Sequence, residues 1–178
     1  MKKQKILHEA VVCYLFDEKG RILLSFKPEE DKNKRLIKIG EGFWNGYGGG
    51  VESSDISPER AVMREVVEET SGGVGISPVG LKKVAEITFH NHMDDGNVFS
   101  CLVHFFFSHR WFGEPKPSKE MITPTFFETN KLPKKIMPAD RHFLPILLRG
   151  DLLKAEYCYS PFQQHLIGKP ELSFVNSF

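Results

Sequence analysis

An α/β fold on one mixed β-sheet, with helices packed on both faces, is predicted by three observations. Strand-like and helix-like runs interleave in the order β-β-α-β-β-(β)-α-β. The strand-like runs are short, β-branched and aromatic, and none approaches the ~18 apolar residues of a membrane span. With 178 residues, 40% hydrophobic and 26% charged, the chain can bury one sizeable core, so residues 1–178 are expected to form a single domain.

In chain order, residues 10–16 and 21–26 read as two strands, and Asp17-Glu18-Lys19-Gly20 between them is hairpin-turn chemistry. Residues 27–42 are polar and basic, with Lys32, Lys34, Arg35 and Lys38; they suit either a solvated loop or a basic lid over a polyphosphate. Phe43 to Tyr47 then leads into the run Gly48-Gly49-Gly50, which allows main chain to approach a ligand closely. Ser57 as N-cap and Pro58 at the first helical position start a helix, and Gly72-Gly73-Val74-Gly75 stops it. Residues 81–89 and 98–107 read as strands around the loop 90–97. His90, His92, Asp94 and Asp95 there suit a metal site less well than a hairpin with an Asp-Gly turn. His104 within the second strand reads as a satisfied sheet histidine in preference to a ligand. Pro115 and Pro117 mark a linker between elements. A helix over 139–149, kinked at Pro145, and strands over 152–159 and 172–175 complete the chain.

The composition excludes several classes. Lys+Arg 24 against Asp+Glu 23 gives a net charge of +1, so neither a polynucleotide nor an acidic membrane surface is an expected partner. Cys13, Cys101 and Cys158 are odd in number and widely spaced, which suits buried, reduced thiols in a cytoplasmic protein and not a disulfide framework or a zinc site. Met1 to Lys5 is basic, but no long apolar segment follows it, and no signal peptide is expected.

The chemistry is concentrated in Arg64-Glu65-Val66-Val67-Glu68-Glu69. At about 100° per residue, Glu65, Glu68 and Glu69 share one helix face while Ala61, Val62 and Val66 lie on a side that can bury. Like charges at i, i+3 and i+4 repel by roughly 0.2–0.5 kcal/mol per pair. Arg64, at i, i+4 to Glu68, could offset this with water screening the rest. The alternative is a hard divalent cation, because Mg²⁺ takes carboxylate oxygens together with substrate phosphates.

These residues resemble the Nudix box, a glycine and a spaced glutamate followed by R-E-(apolar)-x-E-E and a glycine; the core REVVEE matches at every position. Asp55 stands for the upstream glutamate, displaced by one extra residue, Ile56, and the closing glycine arrives one position late as Gly72 after Ser71. Beyond the box, Trp44-Asn45-Gly46-Tyr47-Gly48-Gly49, Glu120-Met121 and Pro138-Ala139-Asp140 through Pro145 are similar to the MutT-type branch of Nudix hydrolases, the oxidised-purine nucleoside triphosphatases or 8-oxo-dGTP diphosphatases. The resemblance covers about residues 8–160 and implies a Nudix-type α/β/α sandwich.

The resemblance further implies that the Gly48 carbonyl, Glu65, Glu68, Glu69 and Glu120 gather Mg²⁺, with Mn²⁺ as a substitute. Glu69 or Glu120 would activate water, and Arg64, ordered by Asp55, completes the catalytic set. Asn45 and Asp140 would read the base edge beside Phe43 and Trp44. Asn45 is also a turn-former next to Gly46, and Asp140 could be the charge or cap at the start of the last helix. Ala139 stands where the branch has a first aspartate and Met137 where it has a tryptophan, which weakens the case for an oxidised purine. The implied activity is Mg²⁺-dependent cleavage of a purine nucleoside triphosphate to monophosphate and pyrophosphate by a monomer or weak homodimer. ADP-ribose or a dinucleoside polyphosphate is the alternative substrate, and a non-catalytic nucleotide-binding module the alternative class.

Overall fold

Strand β1 (Leu7–Phe16) runs through the middle of the molecule, and its alternation sets the two cores. Val11, Cys13 and Leu15 point to one face of the sheet; Tyr14 and Phe16 point to the other. The computed structural model describes residues 7–29 and 39–178. Lys32, Lys34, Arg35 and Lys38, the core of the expected basic lid, lie outside the described residues.

The remaining elements are β2 (Ile22–Phe26), β3 (Trp44–Asn45), β4 (Tyr47–Gly50), α1 (Pro58–Glu69), β5 (Val74–Ile76), β6 (Leu81–His92), β7 (Val98–Ser108), β8 (Trp111–Gly113), β9 (Thr125–Phe127), α2 (Pro138–Leu148), β10 (Leu152–Tyr159) and β11 (Glu171–Val175). The main sheet has the order β11-β10-β6-β7-β1-β2-β3; β4 also pairs with β1 and β9 with β2, while β5 and β8 form a separate ribbon. β1 with β7 and β10 with β6 are parallel and the other pairings antiparallel, so the sheet is mixed as predicted.

One edge of β1 is shared between two strands. Ala10 to Cys13 pair with Gly50 to Tyr47, whereas Leu15 and Phe16 pair with β2. The glycine run, read from the sequence only as a place for close approach of main chain to a ligand, is therefore a strand. A Cβ at Gly48 would lie 2.0 Å from the Val11 carbonyl oxygen, so only glycine allows β4 to lie this close to β1.

Helix α1 covers one face, burying Ala61, Val62 and Val66 against Val11, Cys13, Leu15, Tyr47 and Phe106. Ser57 caps it by accepting from the Arg60 N–H at 3.4 Å, and Pro58 follows, as predicted. At the other end the Gly72 N–H returns to the Val67 carbonyl at 2.7 Å. Ser71 (φ 52°) and Gly72 (φ 72°) both adopt the left-handed conformation, which absorbs the late glycine. Helix α2 packs Phe143, Leu144 and Leu147 on the opposite face over Phe105, Phe107 and Tyr157. Pro145 sits within it on the exposed side, where water can serve the carbonyl left without a donor. Each large apolar side chain so buried contributes about 1.5–3 kcal/mol.

Three local expectations are corrected. β6 runs through His92, because its backbone pairs His90 with Ser100, Asn91 with Phe99 and His92 with Val98, while the His90 ring bonds Ser100 Oγ at 2.9 Å and Glu156 Oε2 at 2.9 Å; the loop shrinks to Met93–Asn97. His104 is a buried sheet histidine but not a satisfied one: its Nδ1 and Nε2 make no hydrogen bond among the described residues, lying 3.7 Å from Glu86 and 4.0 Å from Glu9. Cys13 and Cys101 are buried and free, whereas Cys158 is only half-buried. Among the described residues no helix is long and apolar enough to cross a membrane.

Candidate active site

Strand β4 and helix α1 meet at an angle that places a glycine floor beside a carboxylate row. A cleft of about 470 Å³ is lined by Lys27, Gly48, Gly49, Gly50, Glu65, Glu68, Glu69, Ser118, Lys119 and Glu120. The four glutamates predicted from the sequence are thus brought to one place, together with Gly48. Glu120 arrives from the segment between β8 and β9, more than fifty residues after the helix.

The carboxylates are not equivalent. Glu69 is only 8% exposed, although its spacing put it on the acidic face; its Oε2 accepts from the Gly48 N–H at 2.7 Å. Burial pushes its carboxyl up to about 8, opposed by that hydrogen bond and by Lys27. Glu65 is also raised by burial, and the guanidinium of Arg64 acts against this. Glu68 is largely exposed. A Cβ on Gly49 would stand 2.6 Å from the Glu65 carboxyl group, so the glycine leaves room for that carboxylate alone.

Arg64 binds the row together. Its Nη1 lies 2.8 Å from Glu65 Oε1 and 3.2 Å from Glu68 Oε2, and its Nη2 donates to the Gly50 carbonyl at 2.9 Å and to Asp55 Oδ2 at 2.8 Å. Asp55 accepts a further bond from Nε at 3.2 Å, and these bonds hold it below the usual carboxylate range. Among the described residues no three ligating side chains converge on one point, and Arg64, the Gly48 N–H and Lys27 each engage a carboxylate of the row. The donor set is nevertheless all oxygen, and the glycine floor supplies main-chain carbonyls. That is the chemistry of a hard divalent ion.

The residues expected to read a base lie apart from this row. Asn45 donates through Nδ2 to the Gly40 carbonyl at 2.9 Å and the Phe43 carbonyl at 2.8 Å, so it does hold the loop as a turn-former would. Asp140 does not cap α2, whose N-cap is Met137 without a side-chain bond. Its Oδ2 instead accepts from the Tyr14 hydroxyl at 2.8 Å, and burial pushes its carboxyl up to about 7. Trp44 packs edge-on against Phe26 and Phe127, and Phe43 is half-buried nearby. Met137 and Ala139 are buried in the α2-side core.

Lys27, Lys119 and Tyr14 escaped the sequence reading. Lys27, taken there as the start of a polar loop, lies at the end of β2 with Nζ 3.2 Å from Glu120 Oε2. A lone cation directly after an apolar strand was its only sequence signal. Tyr14 had none, since it reads as one more core aromatic of β1.

The NUDIX domain family matches residues 6–147 of this sequence. The chain belongs to that family. This Nudix chain is 33% identical over 147 residues to the oxidized purine nucleoside triphosphate hydrolase of Danio rerio, covering 82% of this chain and 81% of the relative. It is likewise 33% identical over 143 residues to the protein of the same name from Mus musculus, covering 79% and 83%. Among solved structures it resembles the MutT protein from Bacillus halodurans with a TM-score of 0.73 at 21% identity, covering 93% of this chain and 97% of that one. The MutT protein from Methanosarcina mazei Go1 gives a TM-score of 0.62 at 21% identity, over 83% and 96%. At those identities the structural likeness concerns the fold, which is the predicted Nudix-type α/β sandwich.

Proposed function

We propose that this Nudix hydrolase is a Mg²⁺-dependent pyrophosphohydrolase that cleaves a purine nucleoside triphosphate, oxidised purines included, to the monophosphate and pyrophosphate. The observation that carries this reading is the meeting of Glu65, Glu68, Glu69 and Glu120 in one glycine-floored cleft with Lys27. The substrate class is supported by the two curated relatives, both named for oxidised purine nucleoside triphosphates.

Glu65, Glu68, Glu69, Glu120 and the Gly48 carbonyl would hold Mg²⁺, which when bound supplies Lewis-acid polarisation of the phosphoryl oxygens and lowers the pKa of water. Glu69, fixed through Oε2 by the Gly48 N–H, keeps Oε1 for orienting or deprotonating the attacking water. Burial raises the proton affinity of its carboxyl, and the positive charge of a bound cation would bring it back toward the ionised form that a base needs. Lys27 and Lys119 bring positive charge to the polyphosphate in the same cleft. Arg64 is a positioning residue, bridging Glu65 and Glu68 through Nη1 and tied to Asp55 through Nη2. Gly48 stands three positions after Asn45, at most about 10 Å of chain and the scale of a nucleoside. A base beside Asn45 is therefore compatible with phosphates at Gly48.

Buried Ala139 leaves Asp140 as the one carboxyl at the start of α2, which favours, as a second reading, a substrate held less by its base, such as ADP-ribose or a dinucleoside polyphosphate. The deciding assay is product release from 8-oxo-dGTP, canonical dNTPs, ADP-ribose and diadenosine polyphosphates, with Mg²⁺ and with EDTA. Pyrophosphate released from purine triphosphates only with Mg²⁺ is the expected result. Turnover confined to the other two classes would move the assignment to them, and binding without turnover would make the chain a nucleotide-binding module.

A further inference from the structure

Amide groups form one directed line of hydrogen bonds from β7 to Asn45. The Phe99 carbonyl accepts from Asn91 Nδ2 at 3.4 Å, Asn91 Oδ1 accepts from Gln163 Nε2 at 2.8 Å, and Gln163 Oε1 accepts from the Gly40 N–H at 3.3 Å. The Gly40 carbonyl then accepts from Asn45 Nδ2 at 2.9 Å, and the Phe43 carbonyl takes the second Asn45 N–H at 2.8 Å.

The direction of this line is chemically determined. Carbonyls only accept and a main-chain N–H only donates, so turning any one carboxamide end for end would set two donors or two acceptors against each other. Asn45 is left with both donors spent and with Oδ1 making no hydrogen bond among the described residues. It therefore presents an acceptor and no donor.

The line is also built at some conformational cost. Gln163 has φ 56°, a left-handed conformation unusual for a residue with a side chain, and Asn91 is a polar residue only 6% exposed. Gly40 has φ 83°, and a Cβ there would stand 2.7 Å from Asn45 Oδ1. Such features persist where surrounding bonds over-determine them, and consecutive amides polarise one another.

We propose that Gln163 is a specificity-positioning residue, which through Gly40 holds Asn45 as an acceptor-only reader and so selects purine nucleotides whose base edge offers an N–H donor. The inference rests on the triphosphate reading above and deepens it. Gln163 acts from the segment between β10 and β11, beyond residues 6–147 that carry the family match. Guanine and adenine both carry suitable donors, whereas an unsubstituted purine offers only ring-nitrogen acceptors on its edges.

The test is steady-state kinetics with Mg²⁺ on dGTP, dATP and the 2′-deoxyriboside triphosphate of unsubstituted purine, for wild type, Gln163→Ala and Gln163→Glu. Wild type is expected to prefer a donor-bearing base by about tenfold in kcat/KM, the scale of one hydrogen bond. Gln163→Ala should erase most of that preference through KM while kcat stays within about twofold. Gln163→Glu keeps an acceptor for the Gly40 N–H but loses the donor to Asn91 Oδ1, so it should keep the preference while melting lower than wild type, which separates this role from a general loss of stability; thermal melting of both variants reads the second effect. An unchanged preference in Gln163→Ala, an equal loss on all three substrates, or no preference in wild type overturns the inference alone. No hydrolysis of any of the three by wild type overturns the triphosphate reading and the inference together.

Discussion

Asp55 grips Arg64 from one residue outside the spacing of the Nudix box: Oδ2 lies 2.8 Å from Nη2 and Oδ1 3.2 Å from Nε. The extra residue, Ile56, is 84% exposed and takes up the added length outside the contact. Asp55 is itself braced by accepting from the Glu52 N–H at 2.9 Å. Asp55→Ala should lower Tm by several degrees, because it leaves the Arg64 guanidinium without its two-point partner. Ile56→Ser should leave Tm within about 2 °C. Calorimetric melting of both variants measures this, and equal melting temperatures would remove the tether from the account.

Glu68→Gln and Glu69→Gln separate catalysis from folding. Glu68 is largely exposed, and a glutamine at 69 can still accept from the Gly48 N–H, so both variants should melt close to wild type. Both should lose roughly 10²–10⁴ in kcat. Wild-type turnover in either variant would rule out the proposed metal cleft.

Two adjacent glycines should fail in different ways. At Gly48 a Cβ would meet main chain, 2.0 Å from the Val11 carbonyl oxygen, which cannot move without parting β4 from β1. Gly48→Ala is expected to cost several kcal/mol, about 3 or more, and to yield little folded protein. At Gly49 the Cβ would meet the flexible end of Glu65, 2.6 Å away. Gly49→Ala should fold but need a higher Mg²⁺ concentration for half-maximal rate, which a Mg²⁺ titration of activity reads directly.

The Tyr14–Asp140 contact predicts a pH dependence of stability. The Asp140 carboxyl, raised to about 7 by burial, lies above its ordinary 3.8. Between those values the folded state binds more protons than the unfolded state, so stability contributed by this group is lost as pH rises from about 4 to about 7. In Asp140→Asn the amide oxygen still accepts from the Tyr14 hydroxyl and the titration is gone. The Tm of wild type should therefore fall relative to Asp140→Asn across that range, and parallel melting curves would show that Asp140 is not raised.

The legible parts of this protein are those where one residue type suffices to name a conformation or a chemistry. Ser57 and Pro58 announce α1, and the apolar spacing of Ala61, Val62 and Val66 places its buried side, because capping and periodicity are local. Residues 152–159 were readable as a strand because Leu153, Ala155, Tyr157 and Tyr159 alternate with more exposed neighbours. The REVVEE core carried the family for a similar reason, its carboxylates being local to one helix.

What the tertiary structure alone decided depends on partners distant in sequence. Gly48, Gly49 and Gly50 have no side chains to alternate, and they form a strand only because the β1 backbone lies beside them. Glu69 has the helical position of an exposed acid but is buried by the approach of β4, whose Gly48 N–H it accepts. The types of Asn45 and Asp140 were visible at once. Which of their atoms remain available was set by Gly40, Phe43 and Tyr14, since a hydrogen bond is a relation between two atoms and residue type specifies only one of them.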